Sequence, residues 1–256
     1  MPDQSTLMLP SEYQIMYEAE NNHWWYRALR LWIQANLRAY ISPRGRVLDA
    51  GCGTGANLKL LESLDYHPVG LDLAFEGLQL ASGRENVKGK LGCASVERLP
   101  FLSNSFDGII NVDVLYLLND AQEMASLLEF KRVLKPGGIL VLNLPAYEWL
   151  RGEHDQAVST KRRYTAASLK RKLLAAGFQL VRLEYRYMIF LPAVAVFRRL
   201  FRPGKMDQST AKSDLTMNLG PMNNLLTFIA RTEEYLGRVM IRPFGTSVCA
   251  VARSPM

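Results

Sequence analysis

The stretch LDAGCGTGAN, residues 48–57, follows a short apolar run and carries three glycines at alternate positions. Gly51, Gly53 and Ala56 satisfy the G-x-G-x-x-G/A pattern of dinucleotide-binding loops, and an acidic residue, Asp72, follows at about the expected distance. Glycines let the backbone of such a loop approach a ligand closely, and its N–H groups can bind a phosphate or a carboxylate. The stretch is therefore predicted to be a ligand-binding loop that joins a strand to a helix.

Asp49 narrows the choice of ligand, because a carboxylate that faces the pocket would repel a pyrophosphate. Gly55 also stands where the dinucleotide pattern needs no glycine. A ligand that carries both a carboxylate and an ammonium group fits the loop N–H groups and Asp49 together. Asp72, at the end of the next strand, would then accept hydrogen bonds from ribose hydroxyls.

The apolar pattern around this loop predicts a parallel sheet covered by helices. Strands alternate with helices from residue 46 to residue 143, which indicates right-handed βαβ units. Two further strands are predicted near the C-terminus, and Thr165 caps a helix before them. The predicted strands are 46–50, 67–73, 90–95, 106–112, 138–144, 179–187 and 246–253, and the intervening helices include 57–64, 75–82 and 120–134.

Two segments do not belong to this sheet. An amphipathic helix is predicted over 24–40, and nearly sixty residues separate the last two strands, which is far more than a normal connection. We therefore divide the chain into an N-terminal helical cap, a sheet domain and an inserted helical cap, and expect both caps to cover the mouth at the carboxyl ends of the strands. The divisions are 1–45, 46–187 with 245–256, and 188–244.

The inserted segment mixes apolar and basic residues. Residues 188–205 resemble an interfacial helix that makes a peripheral membrane contact, whereas Pro192 favours a hairpin that caps the site. The polar stretch 207–214 is typical of a mobile loop, and a helix is predicted over 224–240. The sequence alone leaves both interpretations of 188–205 open.

The composition of the chain limits the class of protein, its cellular location and its partners. The chain has 256 residues, of which 48% are hydrophobic and 21% charged, as is ordinary for a globular protein. The three cysteines are widely spaced, and the N-terminus lacks the features of a secretion signal, so we expect a cytoplasmic protein without a metal site. The net charge of +7 favours an anionic partner, either nucleic acid or a membrane surface.

Four blocks of sequence, in this order and spacing, resemble the class I S-adenosylmethionine-dependent methyltransferases. They are VLDAGCGTGAN, VGLD, ERLPFLSNSFDGIINVDVLYLL and RVLKPGGILVLNLP, at 47–57, 69–72, 97–118 and 132–145. The resemblance implies a Rossmann-like, doubly wound seven-stranded sheet, mostly parallel with an antiparallel last strand. It also implies S-adenosyl-L-methionine as the cofactor and S-adenosyl-L-homocysteine as the product.

The resemblance further implies which residues hold the cofactor. The loop from Gly51 to Gly55 would wrap the methionine moiety, and Asp72 would bind the ribose. Ser95 stands where the family usually has an aspartate that contacts the adenine amino group, so this contact is expected to be weaker. The implied cofactor-binding residues are Asp49, Gly51, Cys52, Gly53, Asn57, Asp72, Leu73, Ser95, Val96 and Asn111.

The region after the fifth predicted strand is expected to shape the acceptor pocket. Its EHD…RRYT segment, with HWWYR at 23–27, resembles a bacterial subset of small-molecule methyltransferases. His154, beside Asp155, is the first candidate for a general base, and Tyr164 and His23 are alternatives. A structural role for His154 is the competing interpretation. The predicted acceptor-binding residues are Trp24, Trp25, Tyr26, Tyr116, Tyr147 and Trp149, although aromatic residues at such spacing also occur as plain core.

These observations favour methyl transfer to an oxygen or carbon of a small, apolar or aromatic acceptor such as a lipid, a quinone-like compound or a natural product. The segment NVDVLY lacks the two prolines that follow the fourth strand in enzymes that methylate an exocyclic base amine, so a nucleic-acid substrate is disfavoured. Two alternatives stay open. One is an RNA or protein methyltransferase that uses a basic face formed by the residues clustered at 159–172 and 197–205, and the other is a non-catalytic cofactor-binding protein.

Overall fold

A computed structural model describes residues 8–85, 87, 89–200, 219–237 and 240–256 of the protein. The strands of these residues form one seven-stranded sheet in the order β3-β2-β1-β4-β5-β7-β6. The strands are β1 (Arg46–Ala50), β2 (His67–Asp72), β3 (Leu91–Cys93), β4 (Phe106–Val112), β5 (Leu134–Pro145), β6 (Gln179–Arg186) and β7 (Ser247–Arg253).

Helices lie between the strands and at both ends of the sheet domain. Helices separate most successive strands from β1 to β6, as the apolar pattern predicts, but the described residues include no α-helix between β3 and β4. The α-helices of the described residues are α1 (Pro10–Ala19), α2 (Trp24–Tyr40), α3 (Ala56–Ser63), α4 (Phe75–Ser82), α5 (Asp120–Val133), α6 (Glu153–Ala157), α7 (Ala166–Ala175), α8 (Leu191–Leu200) and α9 (Met222–Leu236).

The sheet topology confirms the predicted fold class. β1 to β5 pair in parallel, and β7 runs antiparallel to its neighbours β5 and β6. The central strands are apolar on both faces, because helices cover each side of a doubly wound sheet. Alternate residues therefore enter different cores: Leu48 packs in one with α5 and α7, and Val47 packs in the other with α2 and α3.

The glycine loop begins where β1 ends. Gly51, Gly53 and Gly55 all have positive φ angles, which only glycine adopts without strain. A Cβ atom on Gly51 would lie 2.2 Å from Cγ2 of Val114, so the loop is in contact with the residues that follow β4. Gly55 is the residue that precedes α3, where a Cβ would lie 2.9 Å from that of Ala81. Backbone conformation and packing thus require a glycine at this position, which the dinucleotide pattern does not explain.

The two capping segments are attached to one another. α9 packs against α2, and an ionic network joins α9 to β6. Arg186 binds Glu234 at 3.1 Å, Arg242 binds Glu234 at 3.2 Å and also Glu184, and the indole N–H of Trp32 donates to Glu184 at 2.7 Å. Because Arg186 and Arg242 are buried, this network fixes the caps to one end of the sheet.

Several local predictions need correction. β5 begins at Leu134, directly after α5, so the sequence KPGG lies within an irregular start of that strand, where Gly137 has a φ of 77°. α1 was not predicted, because only Glu12 and Tyr13 are buried on it and its apolar pattern is weak. The helix expected over 224–240 ends at Leu236. The polar stretch 207–214 lies outside the described residues.

No helix among the described residues is both long enough and apolar enough to cross a membrane. Pro192 is the second residue of α8, where a helix tolerates proline because the first turn needs no N–H donor there. Cys52, Cys93 and Cys249 are free thiols.

Residues at the end of α1 are connected to the glycine loop by a buried ion pair. Arg84 binds Glu20 at 2.7 Å, with 6% and 8% of their side chains exposed, and its Nε donates to the carbonyl of Thr54. The hydroxyl of Thr54 also donates to Glu20. Burial raises the pKa of Glu20, and the hydrogen bond from Thr54 and the charge of Arg84 oppose that rise.

Arg84→Met is expected to lower the free energy of unfolding by about 3–5 kcal/mol, because it leaves the Glu20 carboxylate buried without its partner. Urea unfolding followed by circular dichroism measures the change. Asp65→Asn is the matched control: it removes the 3.7 Å pair with Arg44, whose side chains are 70% and 80% exposed, and should change stability by less than about 0.5 kcal/mol. Equal effects of the two variants would contradict this assignment.

Candidate active site

A cavity of about 750 Å³ opens at the carboxyl ends of the parallel strands. Ligands of open α/β sheets bind at this edge, and the volume falls within the range of roughly 300–1,000 Å³ that small-molecule sites occupy. The residues that follow β1 to β5 form its floor and include Gly51, Gly53, Asp72, Leu73, Ser95, Val96, Asp113 and Pro145.

The two caps form the roof of this cavity. Side chains from α1, α2, α8 and α9 reach it together with the residue that precedes α8. They include Met16, Trp24, Trp25, Phe190, Val194 and Leu226. The expectation that both caps cover the same mouth is confirmed, because residues of both line the cavity.

Asp72 holds the glycine loop to the end of β2. Its Oδ2 accepts from the N–H of Gly53 at 2.7 Å, and its Oδ1 accepts from the N–H of Ala74 at 2.8 Å. Burial raises the pKa of Asp72, and the backbone hydrogen bonds oppose that rise. A carboxylate has further lone pairs, so Asp72 can accept ribose hydroxyls as well as these N–H groups.

Asp49 is a buried acid whose two oxygens have no hydrogen-bond partner of normal geometry among the described residues. Burial and the neighbouring carboxylates of Glu20 and Asp72 raise the pKa of Asp49 well above its ordinary value, and Asn57 only partly opposes this. Asn111 has a similar deficit: its amide donates to the carbonyl of Ala50 at 2.6 Å, but its Oδ1 accepts nothing in the described part of the chain.

These features fit S-adenosylmethionine. The ammonium of the cofactor would offset the cost of an ionised Asp49, the loop N–H groups suit its carboxylate, and Asp72 suits its ribose. The predicted cofactor residues Asp49 and Asn111 are fully buried and do not line the cavity, whereas Asn57 and Cys52 do. Burial also raises the pKa of Cys52 well above its ordinary value, which keeps the thiol protonated and unreactive.

Ser95 and Val96 line the cavity after β3, where adenine is expected. Ser95 Oγ already accepts from the N–H of Glu97 at 3.2 Å. The carboxylate of Glu97 lines the same wall and accepts from Gln122 at 3.1 Å. Ser95 stands where the family usually has an aspartate, and Glu97 supplies an acidic oxygen two residues later. The sequence at position 95 alone gave no sign of this acid.

His154 lines the cavity, but it lies on the short helix α6 and not in the predicted loop. Asp155, which was expected to orient it, receives two hydrogen bonds from Arg163, at 2.8 and 2.9 Å, and one from the N–H of Gly152 at 2.7 Å. Burial raises the pKa of Asp155, but its bonds to Arg163 outweigh that effect, and the net pKa is lowered. Its carboxylate mainly fixes Arg163.

The two alternative bases have other contacts. The hydroxyl of Tyr164 donates to the buried Glu123 at 3.0 Å and does not line the cavity, and burial raises the pKa of Tyr164. His23 lines the cavity and precedes α2, where its Nδ1 accepts from the N–H of Trp25 at 3.3 Å.

Aromatic side chains form a wall of the cavity, and they are partly different from the aromatic residues predicted to bind the acceptor. Trp24 lies 4.7 Å from Phe190, measured between ring centroids, and both line the cavity. Trp25, Tyr26 and Tyr116 line it too. Burial raises the pKa of both Tyr26 and Tyr116 well above the ordinary value, so both hydroxyls stay neutral.

The other two predicted aromatic residues lie away from the cavity. Tyr147 stacks on Tyr185, with ring centroids 5.1 Å apart, and on Trp149, which is 59% exposed. Neither Tyr147 nor Trp149 lines the cavity, and Phe190 takes part in the wall instead.

Asp113 is a cavity residue that the sequence reasoning did not select. It follows β4 directly, and burial raises its pKa to about 7. Its position at the carboxyl end of a parallel strand was the signal that could have identified it. No group of three or more histidine, cysteine, aspartate or glutamate residues in the described part of the chain could hold a metal ion.

Comparison with known proteins agrees with this geometry. Residues 48–142 match the family described as "Methyltransferase domain". This match identifies a class I, S-adenosylmethionine-dependent methyltransferase domain, as the four sequence blocks predict.

Curated relatives resemble mainly this part of the chain. A "Probable S-adenosylmethionine-dependent methyltransferase" of Mycolicibacterium smegmatis is 29% identical over 68% of the chain and 66% of its own length. The O-methyltransferase rstn1 of Aspergillus nomiae is 32% identical over 40% of the chain, and the human "Probable tRNA methyltransferase 9B" is 32% identical over 41%. The chain spans only 47% and 22%, respectively, of the length of these last two relatives.

A solved structure shares the fold over almost the whole chain. It is a chain in the complex between the Trm112 methyltransferase activator of Haloferax volcanii and a methyltransferase, with a TM-score of 0.63 and 18% identity. The match covers 96% of this chain and 95% of that one.

Asp72→Ala is expected to weaken S-adenosylmethionine binding by about 10- to 100-fold, because it removes charged hydrogen bonds to the ribose and releases the N–H of Gly53. Isothermal titration calorimetry measures the affinity, and circular dichroism checks that the fold is kept. Asp107→Asn, at the opposite end of β4, is the control and should bind normally. Unchanged affinity in Asp72→Ala would exclude the assigned ribose contact.

Asp49→Asn is expected to stabilise the ligand-free protein and to weaken cofactor binding. The folded-state pKa of Asp49 is raised, so ionisation above its ordinary pKa costs stability, and this cost grows as the pH rises towards the folded-state value. A bound ammonium favours the ionised form, so wild-type affinity should rise as the pH increases from the ordinary pKa of an aspartate towards the raised folded-state pKa of Asp49. Thermal unfolding and calorimetry of both proteins across this range test the claim, and a variant that is less stable and binds normally would refute it.

Proposed function

We propose that the protein transfers a methyl group from S-adenosylmethionine to an oxygen or carbon of a small, apolar or aromatic molecule. The observation that carries this proposal is that both caps cover the cavity, with Trp24, Trp25 and Phe190 in its roof. Aromatic and apolar surfaces favour apolar ligands, and a concave cavity roofed by both caps suits a small molecule better than a large polymer. The O-methyltransferase of Aspergillus nomiae is a relative with a compatible activity.

The cofactor supplies the electrophilic methyl group, and the protein aligns the acceptor with it. Tyr26 and Tyr116 offer neutral hydroxyls to an acceptor in the cavity, and the loop from Gly51 to Gly53 forms the cofactor side. Water exclusion by α1, α2 and α8 would strengthen these polar contacts.

The basic segment around residue 163 gives little support to an RNA substrate. Arg162 and Lys172 both bind Asp120 and the buried Glu123, and Arg163 binds Asp155. These three cations are therefore neutralised within the protein and do not form an open surface for phosphates. Because the chain resembles the human "Probable tRNA methyltransferase 9B", RNA is one of the methylated products that the test below distinguishes.

The outer surface of α8 supports a peripheral membrane contact, through which an apolar acceptor would enter. Val196, Phe197 and Leu200 are 58%, 48% and 72% exposed, beside the basic Arg199. Interfacial helices combine apolar and basic residues in this way. The contact predicted for 188–205 stays a prediction, and residues 201–205 lie outside the described part of the chain.

Label transfer tests the proposed acceptor class. The protein is incubated with S-adenosylmethionine carrying a deuterated methyl group and with an extract of the cells that produce it, and mass spectrometry follows the organic-soluble, RNA and protein fractions. We expect label in organic-soluble compounds, loss of that label with Asp72→Ala, and its retention with Asp107→Asn. Label in ribonuclease-sensitive material or in protein would replace the proposal with a macromolecular substrate, and cofactor binding without any label would indicate a non-catalytic role.

A further inference from the structure

Asp113 lies at the meeting point of the cofactor side and the acceptor side of the cavity. It is the first residue after β4, and its neighbour Val114 is in contact with Gly51 of the cofactor loop. Tyr116 lines the same wall, and Tyr26 belongs to the roof. A carboxylate at this position therefore borders both the cofactor loop and the residues predicted to bind the acceptor.

The carboxylate of Asp113 is held in one orientation. Its Oδ1 accepts from Nδ2 of Asn143 at 3.1 Å, and its N–H donates to the carbonyl of Asn143 at 3.0 Å. The thiol of Cys249 donates to Oδ1 of Asn143 at 3.1 Å, which keeps the amide nitrogen directed at Asp113. Burial raises the pKa of Cys249, so the thiol keeps the proton that this orientation needs.

These contacts occupy only one carboxylate oxygen. Oδ2 of Asp113 has no hydrogen-bond partner among the residues that the structure describes. A carboxylate with one oxygen anchored by an amide and the other open to a cavity is suited to receiving a proton in a fixed direction.

The backbone at Asp113 has a φ of 53°, in the left-handed region that non-glycine residues seldom occupy. Asparagine and aspartate tolerate this conformation better than other residues, and such strain is common where a side chain has a function. Asp113→Asn therefore keeps both the backbone conformation and the shape of the side chain, and changes only the ability to take up a proton.

The surroundings of Asp113 set its charge. Burial raises the pKa of Asp113 to about 7, opposed by the hydrogen bond from Asn143 and by the positive charge of Arg163. A base of this strength is about half ionised at neutral pH and mostly ionised above it, and it still binds a proton well. The other titratable groups that interact with it, from α2, the turn after β4, the end of β6 and β7, are Tyr26, Tyr116, Tyr187 and Cys249.

We propose that Asp113 is the catalytic base, which accepts through Oδ2 the proton of a weakly acidic hydroxyl on the acceptor. The acceptor oxygen forms its bond to the methyl carbon while the carbon–sulfur bond breaks and leaves its electron pair on sulfur. The hydroxyl proton passes to Oδ2, so the step needs no further reactant. Asn143 is a positioning residue that acts through Oδ1. This inference rests on the proposed methyl transfer and narrows the acceptor to a hydroxyl compound.

His154 is the competing base. It lines the cavity, but it lies on α6, after β5, and the acid beside it is bound to Arg163. Asp113, by contrast, adjoins the residue that contacts the cofactor loop. The two candidate bases predict opposite effects of the variants Asp113→Asn and His154→Gln on the pH dependence of turnover.

The first test measures methyl transfer to the organic-soluble extract between pH 5.5 and 9. Wild-type turnover should rise as Asp113 loses its proton near pH 7, because only the ionised carboxylate can act as a base. Asp113→Asn should lose at least about 100-fold in turnover and should lose the rise with pH. Cofactor affinity should stay within about threefold, and Asp107→Asn should keep both the rate and the profile. A pH rise that persists in Asp113→Asn and disappears in His154→Gln would overturn the proposal.

The second test needs no acceptor, and so separates failure of this inference from failure of the proposed function. Infrared titration should show a protonated carboxyl band that disappears near pH 7 in the wild type and is missing from Asp113→Asn. Its midpoint should lie lower with S-adenosylmethionine bound than with S-adenosylhomocysteine, because the sulfonium charge favours the carboxylate. A band that responds identically to both compounds would place Asp113 away from the methyl group and refute the assignment, whether or not an acceptor is methylated.

Discussion

The close approach of the β1 loop to the turn after β4 is the constraint on which the site depends. Gly51 can lie against Val114 only because it lacks a Cβ, and its φ of 86° turns the chain away from β1 at that point. The contact places the cofactor loop beside Asp113. The Asp72 carboxylate fixes the same loop from the other side through the N–H of Gly53. The three strands that carry these residues are adjacent in the sheet, so their relative positions follow from the strand order.

Unpartnered polar atoms and backbone strain occur together at this edge of the sheet. Asp49 and Asn111 have buried oxygens without hydrogen bonds in the described part of the chain, and Asp113 adopts a strained backbone conformation. Such features cost stability, and they persist when the surrounding structure is firm. That firmness comes from apolar cores on both faces of the sheet and from buried ion pairs such as Arg84 with Glu20.

The sheet and the cofactor loop could be predicted because their signals are local. A parallel strand buried on both faces is a continuous apolar run, and the glycines between 51 and 55 reflect backbone conformations that few other residues adopt. α1 escaped prediction because little of it is buried. Its position depends on tertiary contacts such as that between Glu20 and Arg84.

Assignments of side chains after β5 were less predictable, because they depend on partners distant in sequence. Tyr164 looked available for catalysis, yet its hydroxyl binds Glu123, 41 residues earlier. Arg162 and Lys172 contributed to an apparent basic face, yet the same Glu123 neutralises them. Periodicity and motif spacing carry no information about such pairs.

The environments of Asp49 and Asp113 give two similar acids different roles. Both are desolvated, and burial raises the pKa of each. Asp49 lies behind the glycine loop with neither oxygen bonded, so its charge is best stabilised by a bound cation. Asp113 has an amide donor on one oxygen and Arg163 nearby, so it ionises near neutral pH without a ligand. Pairs of titratable groups whose surroundings separate their pKa values commonly divide the work of an active site. Here that division would place ammonium recognition on one side of Gly51 and proton transfer on the other.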